Sequence, residues 1–102
     1  MKVSDVFVIK DAVDDLSEGK AFYNLQEDGV GEYFWDCLVT DIESLIIYGG
    51  IHSKHSGLYR MNSKRFPYII YYDIIDTAAY VTAVLPMRKD PAWIQKTLTS
   101  RQ

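Results

Sequence analysis

Residues 60–75 read RMNSKRFPYIIYYDII, and the second part of this stretch decides the fold. From Phe66 to Ile75 nearly every residue is β-branched or aromatic, a composition that favours an extended strand over a helix. Neighbouring side chains of a strand point to opposite faces, and here both faces are largely apolar. The stretch is therefore predicted to be a central strand covered on both sides. One of its faces is expected to carry Phe66, Tyr68, Ile70, Tyr72 and Ile74.

Basic side chains lie just before this strand, at Arg60, Lys64 and Arg65, and elsewhere in the second half of the chain. Residues 1–51 contain eleven Asp and Glu against three Lys and Arg, a net charge of −8. Residues 52–102 contain three acidic and eight basic side chains, a net charge of +5. This asymmetry indicates an acidic solvated flank and a basic working face. With a net charge of −3 the whole chain is too acidic for a general nucleic-acid-binding domain.

Length and composition predict one domain that spans residues 1–102, because this length suffices for a single core. Cys37 is the only cysteine, which excludes an internal disulfide and favours a reducing compartment. No apolar run approaches the roughly 18 residues that a membrane span requires. Asp5 also interrupts the apolar N-terminus, unlike a signal peptide. A cytoplasmic protein without membrane contact is expected.

Three further strands and three helices are predicted around the central strand. A strand over residues 3–9 is followed by helices over 10–24 and 31–48, the second of which is stopped by Gly49-Gly50. A polar loop over 51–57, a strand over 57–61 and the central strand come next. After a turn at Asp76-Thr77, a strand over 80–85 and a helix that begins at Asp90-Pro91 complete the chain. The predicted fold is α+β, a helical hairpin packed on an antiparallel sheet in the order β-α-α-β-β-β-α.

The two hairpin helices each show one apolar stripe for the core. In the first helix Gly19 interrupts this stripe, as expected where another backbone passes close by. The acidic side chains of this helix are explained by the helix dipole and by solubility. The stripe of the first helix is Ala12, Leu16, Gly19 and Tyr23, and that of the second is Phe34, Leu38, Ile42 and Leu45. The acidic side chains of the first helix are Asp11, Asp14, Asp15 and Glu18.

Five motifs in this order resemble the RelE/ParE toxin superfamily of bacterial toxin–antitoxin, or plasmid stabilisation, modules. The resemblance covers nearly the whole chain and is strongest to the ParE-like branch. The motifs are Phe22-Tyr23; Gly29-Val30-Gly31 with Phe34; Tyr59-Arg60; Arg65-Phe66-Pro67-Tyr68 running into Tyr71-Tyr72; and Arg88-Lys89-Asp90-Pro91 with Trp93.

The resemblance implies a small toxin that a co-expressed antitoxin neutralises by wrapping its tail around the sheet and helices. It also implies one of two activities. RelE-like toxins cleave mRNA on the ribosome with Arg or Lys and usually a C-terminal Tyr, whereas ParE-like toxins poison DNA gyrase without being nucleases. Here Ile69 stands where RelE-like toxins carry a catalytic Arg, and Trp93 lies near the position of their Tyr. Arg88 matches the Arg after the last strand, which leaves it as a weak catalytic candidate.

Six side chains are the candidates for binding a partner: Arg60, Arg65, Tyr68, Tyr72, Arg88 and Trp93. Guanidinium groups suit carboxylates and phosphates, and tyrosine rings can stack on bases. The alternatives are that Arg60 and Arg65 snorkel at strand ends and that both tyrosines are core residues with hydrated hydroxyls. The basic half, through Arg60, Arg65 and Arg88, is the predicted antitoxin surface.

Other polar side chains give weaker signals. His52 and His55 lack the further ligands that a metal site requires, and Ser53 has no orienting acid for a catalytic triad. Cys37 is expected to be a small, at least half-buried residue. No metal or cofactor is expected. The sequence therefore favours a ParE-like toxin that acts by binding, with a cognate antitoxin and DNA gyrase as partners. An mRNA endonuclease of the RelE type, with the ribosome as partner, and a non-toxic antitoxin-bound scaffold remain the alternatives.

Overall fold

A computed structural model describes residues 2–102. Five strands form one sheet: β1 Asp5–Val8, β2 Lys54–His55, β3 Leu58–Asn62, β4 Tyr68–Ile75 and β5 Ala78–Pro86. Their order across the sheet is β1-β5-β4-β3-β2, so β4 is the middle strand, as predicted. The helices are α1 Lys10–Gln26, α2 Val30–Glu43, the single turn α3 Leu45–Tyr48, and α4 Pro91–Arg101. The α+β class and the helical hairpin on a sheet are confirmed.

The two faces of β4 belong to two separate cores, which confirms the predicted alternation. Tyr68, Ile70 and Tyr72 pack under the α1–α2 hairpin. Ile69 and Tyr71 pack on the opposite face, where α4 supplies Leu98. The inner stripe of α2 is buried as expected at Phe34, Leu38, Ile42 and Leu45, and that of α1 at Ala12, Leu16 and Gly19.

The sheet differs from the prediction at both of its edges. At one edge β1 pairs with β5 in the parallel sense, with Asp5 opposite Ala78, so the sheet is mixed and not wholly antiparallel. At the other edge the predicted loop over 51–57 contains the two-residue strand β2. Ser56 and Gly57 both have positive φ, 56° and 83°, which is the backbone of a tight two-residue hairpin turn. This turn folds β2 back onto β3.

The predicted helix over 31–48 is divided at Ser44. The Ser44 hydroxyl donates to the carbonyl oxygen of Asp41 at 2.6 Å. In a continuous helix that carbonyl accepts from the backbone N–H of Leu45, so the side chain competes with the helical bond. The helix therefore ends at Glu43, and α3 resumes for one turn.

Candidate functional site

The structure brings together three of the six predicted partner-binding residues and separates the other three. Tyr68, Arg88 and Trp93 line one cleft of about 210 Å³, here called the Arg88 cleft. It lies between α1, the end of β5 and the start of α4. The other charged and aromatic side chains that line it are Asp15, Glu18, Phe22 and Lys89.

Arg88 is held at the cleft by the turn that follows β5. The backbone N–H of Met87 donates to the carbonyl oxygen of Pro67 at 2.9 Å, which fastens this turn to the start of β4. The Arg88 guanidinium then lies over the ring of Phe22, 4.8 Å from its centroid. Such a cation–π contact orients the planar group while leaving its N–H donors available.

Tyr68 forms the aromatic wall of the cleft. Its ring packs against Phe34 with centroids 4.8 Å apart, in a T-shaped arrangement. Burial raises the pKa of the Tyr68 hydroxyl, and the nearby Arg88 guanidinium opposes that rise. Gly19 makes room for this packing, because a Cβ there would collide with the Phe34 ring and crowd the Tyr68 hydroxyl. The close neighbour of Gly19 is thus an aromatic side chain, and the expectation of a passing backbone was wrong.

Trp93 lies at the mouth of the cleft on the first turn of α4. The helix begins as predicted, since the Asp90 carboxylate accepts from the backbone N–H of Ala92 at 2.8 Å and Pro91 follows the cap. The Lys89 ammonium stacks over the Trp93 ring at 4.9 Å. The indole remains 42% exposed and offers a flat apolar surface beside two cations.

Tyr72 lies in the core under the helical hairpin and is 0% exposed. Its hydroxyl accepts from the backbone N–H of Gly50 at 3.0 Å and is also hydrogen-bonded to Nδ1 of His52. Tyr59 stacks on its ring with centroids 5.0 Å apart. Both Tyr68, at 3% exposure, and Tyr72 are thus core residues, which was the alternative interpretation of the sequence.

Arg60 and Arg65 occupy two other places. Arg60 lies on β3 opposite Tyr71 and lines a separate cleft beside α4. Arg65 is exposed in the connection between β3 and β4 and lies near Asp36 and Asp41 of α2. Arg60 and Arg65 thus line two different clefts, whereas Lys89 lines the cleft of Arg60 as well as that of Arg88.

The chemistry available at the Arg88 cleft is recognition of an anion beside an apolar or flat group. The guanidinium donates planar, paired hydrogen bonds to a carboxylate or phosphate, and Phe22, Tyr68 and Trp93 supply aromatic contact. Within residues 2–102, no group of three or more His, Cys, Asp or Glu side chains is arranged to hold a metal ion.

Asp15 and Arg101 form a buried ion pair that sequence reasoning missed. Asp15 was assigned to the solvated acidic face of α1, yet its side chain is only 9% exposed. The helical period contained a usable signal, because Asp15 follows Ala12 by three residues and precedes Gly19 by four, which places it next to the inner stripe. The partner, Arg101, lies 86 residues away in the sequence, and no local pattern predicts the pairing.

The fold of the chain is similar to that of a chain in a solved structure. A chain of the solved structure titled "Chromosomal ParDE TA system from P. aeruginosa", a toxin–antitoxin system, superimposes with a TM-score of 0.74. The alignment covers 84% of this chain and 97% of that chain at 12% sequence identity. No family model matches the sequence, and the search of curated proteins finds no match. The resemblance stated from the sequence is therefore confirmed at the level of the fold. No helix within residues 2–102 is both long and apolar enough to cross a membrane.

Proposed function

We propose that the chain is the toxin of a bacterial type II toxin–antitoxin module of the plasmid stabilisation kind. A cognate antitoxin neutralises it in the cytoplasm, and residues 1–102 form its single domain. The observation that carries this proposal is the structural match to a component of a toxin–antitoxin system over 84% of this chain. The five ordered motifs of the sequence support the same assignment independently of the fold.

Within this class we favour a ParE-like toxin that acts by binding its target, with DNA gyrase as the expected target. Ile69, which stands at the position of a RelE-like catalytic Arg, is 2% exposed and packs in the core beneath α4. Trp93 has an indole N–H, which donates but cannot accept a proton. Neither side chain supplies the acid–base chemistry that mRNA cleavage requires.

One observation favours the RelE-like alternative. Arg88 is oriented in a cleft beside a tyrosine, and a cation next to a phenol is a plausible element of a phosphodiester-cleaving site. The phenol, however, is 3% exposed, so little of it is available to a substrate phosphate. We therefore rank mRNA cleavage second and a non-toxic, antitoxin-bound scaffold third.

The experiment is controlled expression in a bacterial host, with and without the product of the adjacent reading frame. A toxin arrests growth, and co-expression of its antitoxin restores growth. Purified chain added to gyrase supercoiling and cleavage reactions then tests the target. Normal growth under full expression of the folded chain would contradict the toxin assignment and favour the scaffold.

A further inference from the structure

A second cleft, here called the Arg60 cleft, lies on the sheet face opposite the helical hairpin, between α4 and strands β3 and β4. Its volume is about 360 Å³. Its floor is apolar, because Ile69, Tyr71 and Leu98 belong to the small core beneath α4. A groove of this size accommodates one or two side chains of a partner and not a whole helix.

The lining of the Arg60 cleft is cationic and contains no carboxylate. Arg60, Lys89 and His55 line it, together with the polar groups of Ser56 and Gln95. This is unusual in a chain whose net charge is −3. By comparison, carboxylates line both the Arg88 cleft and the apolar groove beside β1, at Asp15 and Glu18 and at Asp5 and Glu43.

Arg60 itself has no carboxylate partner within residues 2–102. The ion pairs of the described chain belong to Lys10 and Arg101. Arg60 is nevertheless half-buried, in a strand whose register places it directly opposite Tyr71. A partly desolvated guanidinium gains most from an acceptor that can take two of its N–H groups, and a carboxylate has this geometry.

The wall of the cleft is fixed by contacts between the β2–β3 turn and α4. The Ser56 hydroxyl donates to Oε1 of Gln95 at 2.6 Å, and the Gln102 amide donates to the Ser56 carbonyl oxygen at 3.3 Å. Both contacts connect the turn to the C-terminal segment of the chain. The cleft is thus preformed, which lowers the entropic cost of ordering its side chains when a ligand binds.

We propose that the Arg60 cleft binds an acidic peptide segment, with a carboxylate on Arg60 and a neighbouring apolar side chain on the floor formed by Ile69, Tyr71 and Leu98. The inference rests on the proposed function in one respect, since the antitoxin is then the source of the segment. An acidic peptide is favoured over a nucleic acid because the apolar floor is suited to an aliphatic side chain.

The test uses fluorescent synthetic peptides that tile the product of the adjacent reading frame, and the same peptides with Asp and Glu replaced by Asn and Gln. Binding to the full chain is measured by fluorescence anisotropy. The variants are Arg60→Gln, Arg60→Lys and, as a matched control, Lys54→Gln. Lys54 is an exposed cation of neighbouring β2 that stacks on Tyr59 and does not line the cleft.

At least one acidic peptide is expected to bind, and Arg60→Gln is expected to weaken it roughly 10- to 100-fold, as for a lost charge-assisted hydrogen bond. Arg60→Lys should be intermediate, because it keeps the charge and loses the planar fork. Lys54→Gln and wild type should bind alike. Circular dichroism of each variant shows whether it is folded. If Arg60→Gln is not folded, Arg60→Lys still tests the role of the guanidinium.

Three results would overturn the proposal. The first is an equal loss of peptide affinity in Arg60→Gln and Lys54→Gln, and the second is equal binding of the peptides in which Asn and Gln replace Asp and Glu. The third is displacement of the peptide by single-stranded RNA. Failure of every peptide to bind the wild-type chain would also overturn it. Neutralisation of growth arrest by the full antitoxin is read separately. It can succeed while the peptide test fails, in which case the proposed function stands and the antitoxin binds elsewhere.

Discussion

Asp15 of α1 and Arg101 of α4 are joined by two hydrogen bonds, from Nη1 to Oδ2 at 2.6 Å and from Nη2 to Oδ1 at 2.9 Å. The pair lies where β1 has ended and β5 continues without a strand beside it. There the backbone N–H of Val84 donates to Asp15 at 2.9 Å, and the Thr82 carbonyl accepts from Arg101 at 3.2 Å. The two side chains thus supply hydrogen-bond partners to the backbone at the edge of β5, which a longer β1 would otherwise supply.

Replacing Arg101 with Gln is expected to lower the free energy of unfolding by about 3 kcal/mol, because it leaves the Asp15 carboxylate buried without its charge partner. The measurement is equilibrium unfolding in urea. Lys96→Gln is the matched control, since it removes an exposed cation from the same helix. Equal effects of the two substitutions would show that the ion pair contributes nothing beyond surface charge. In the double variant with Asp15→Asn, the combined loss should be smaller than the sum of the single losses.

The stability of the chain should decrease as the pH falls below about 6.5, through His52. The Tyr72 hydroxyl accepts from the backbone N–H of Gly50 and is hydrogen-bonded to Nδ1 of the partly buried His52. Burial lowers the pKa of His52 below its ordinary value of 6.5. The folded state therefore binds fewer protons than the unfolded state between these two values, and stability is lost on acidification through this range.

The measurement is urea unfolding at a series of pH values between about 5 and 8. His52→Gln should remove the part of the dependence that is due to this residue. His55→Gln is the control, because His55 is exposed in the same segment and is not bonded to Tyr72. If His52→Gln retains the full wild-type profile, the hydrogen bond to Tyr72 does not control the titration.

Gly31→Ala should destabilise the hairpin although alanine is the better helix former. A Cβ at Gly31 would collide with the backbone oxygen of Lys20 and with the side chain of Asn24. Asn24 also accepts from the Gly31 N–H at 2.8 Å, so it cannot withdraw without losing this bond. Overpacking of this kind costs about 1–3 kcal/mol, which exceeds the helix propensity gained. Thermal unfolding of Gly31→Ala against Glu32→Ala measures the difference, and an increase in Tm for Gly31→Ala would contradict the close helix contact.

No codon-positioned mRNA cleavage is expected when the chain is expressed, because the resemblance to RelE-like toxins puts Ile69 and Trp93 where those toxins carry acid–base groups. Primer extension on translated mRNA after induction is the measurement. Arg88→Ala is the informative variant, with Lys10→Ala as a control for loss of an exposed cation. Cuts that appear in wild type and disappear in Arg88→Ala would promote the ribonuclease alternative.

The central strand was predictable because its signal is local. Alternation assigns Tyr68, Ile70 and Tyr72 to one core and Ile69 and Tyr71 to the other, as expected. The strand begins at Tyr68, two residues later than predicted, and Ile75 at its end is 56% exposed. The Asp90 cap and the glycine stop after α3 are equally local, since each depends on a few neighbouring residues. The Ser44 interruption is also local, but it could not be predicted, because a serine hydroxyl can bond to a preceding helix carbonyl without ending the helix.

Pairing between residues that are distant in the sequence could not be predicted from such local patterns. Nothing near Asp5 in the sequence specifies a parallel partner at Ala78, and nothing near Asp15 points to Arg101. The clefts have the same origin. Arg60, His55 and Lys89 lie in three different segments of the chain, and only the hairpin turn at Ser56-Gly57 and the docking of α4 bring them to one surface. Sequence reasoning therefore identified the cations but not their grouping.

The parallel pairing of β1 with β5 has a consequence for the order of events during synthesis. β1 leaves the ribosome first, yet its partner begins only at Ala78. At about 5–20 residues per second, the interval between the two strands is roughly 4–14 s. The α1–α2 hairpin can form within that time, whereas the backbone of Phe7 and Val8 stays unpaired until β5 has been synthesised. A chain arrested or cut before Ala78 would keep an open apolar strand, and its failure would take the form of aggregation and not of a smaller working protein.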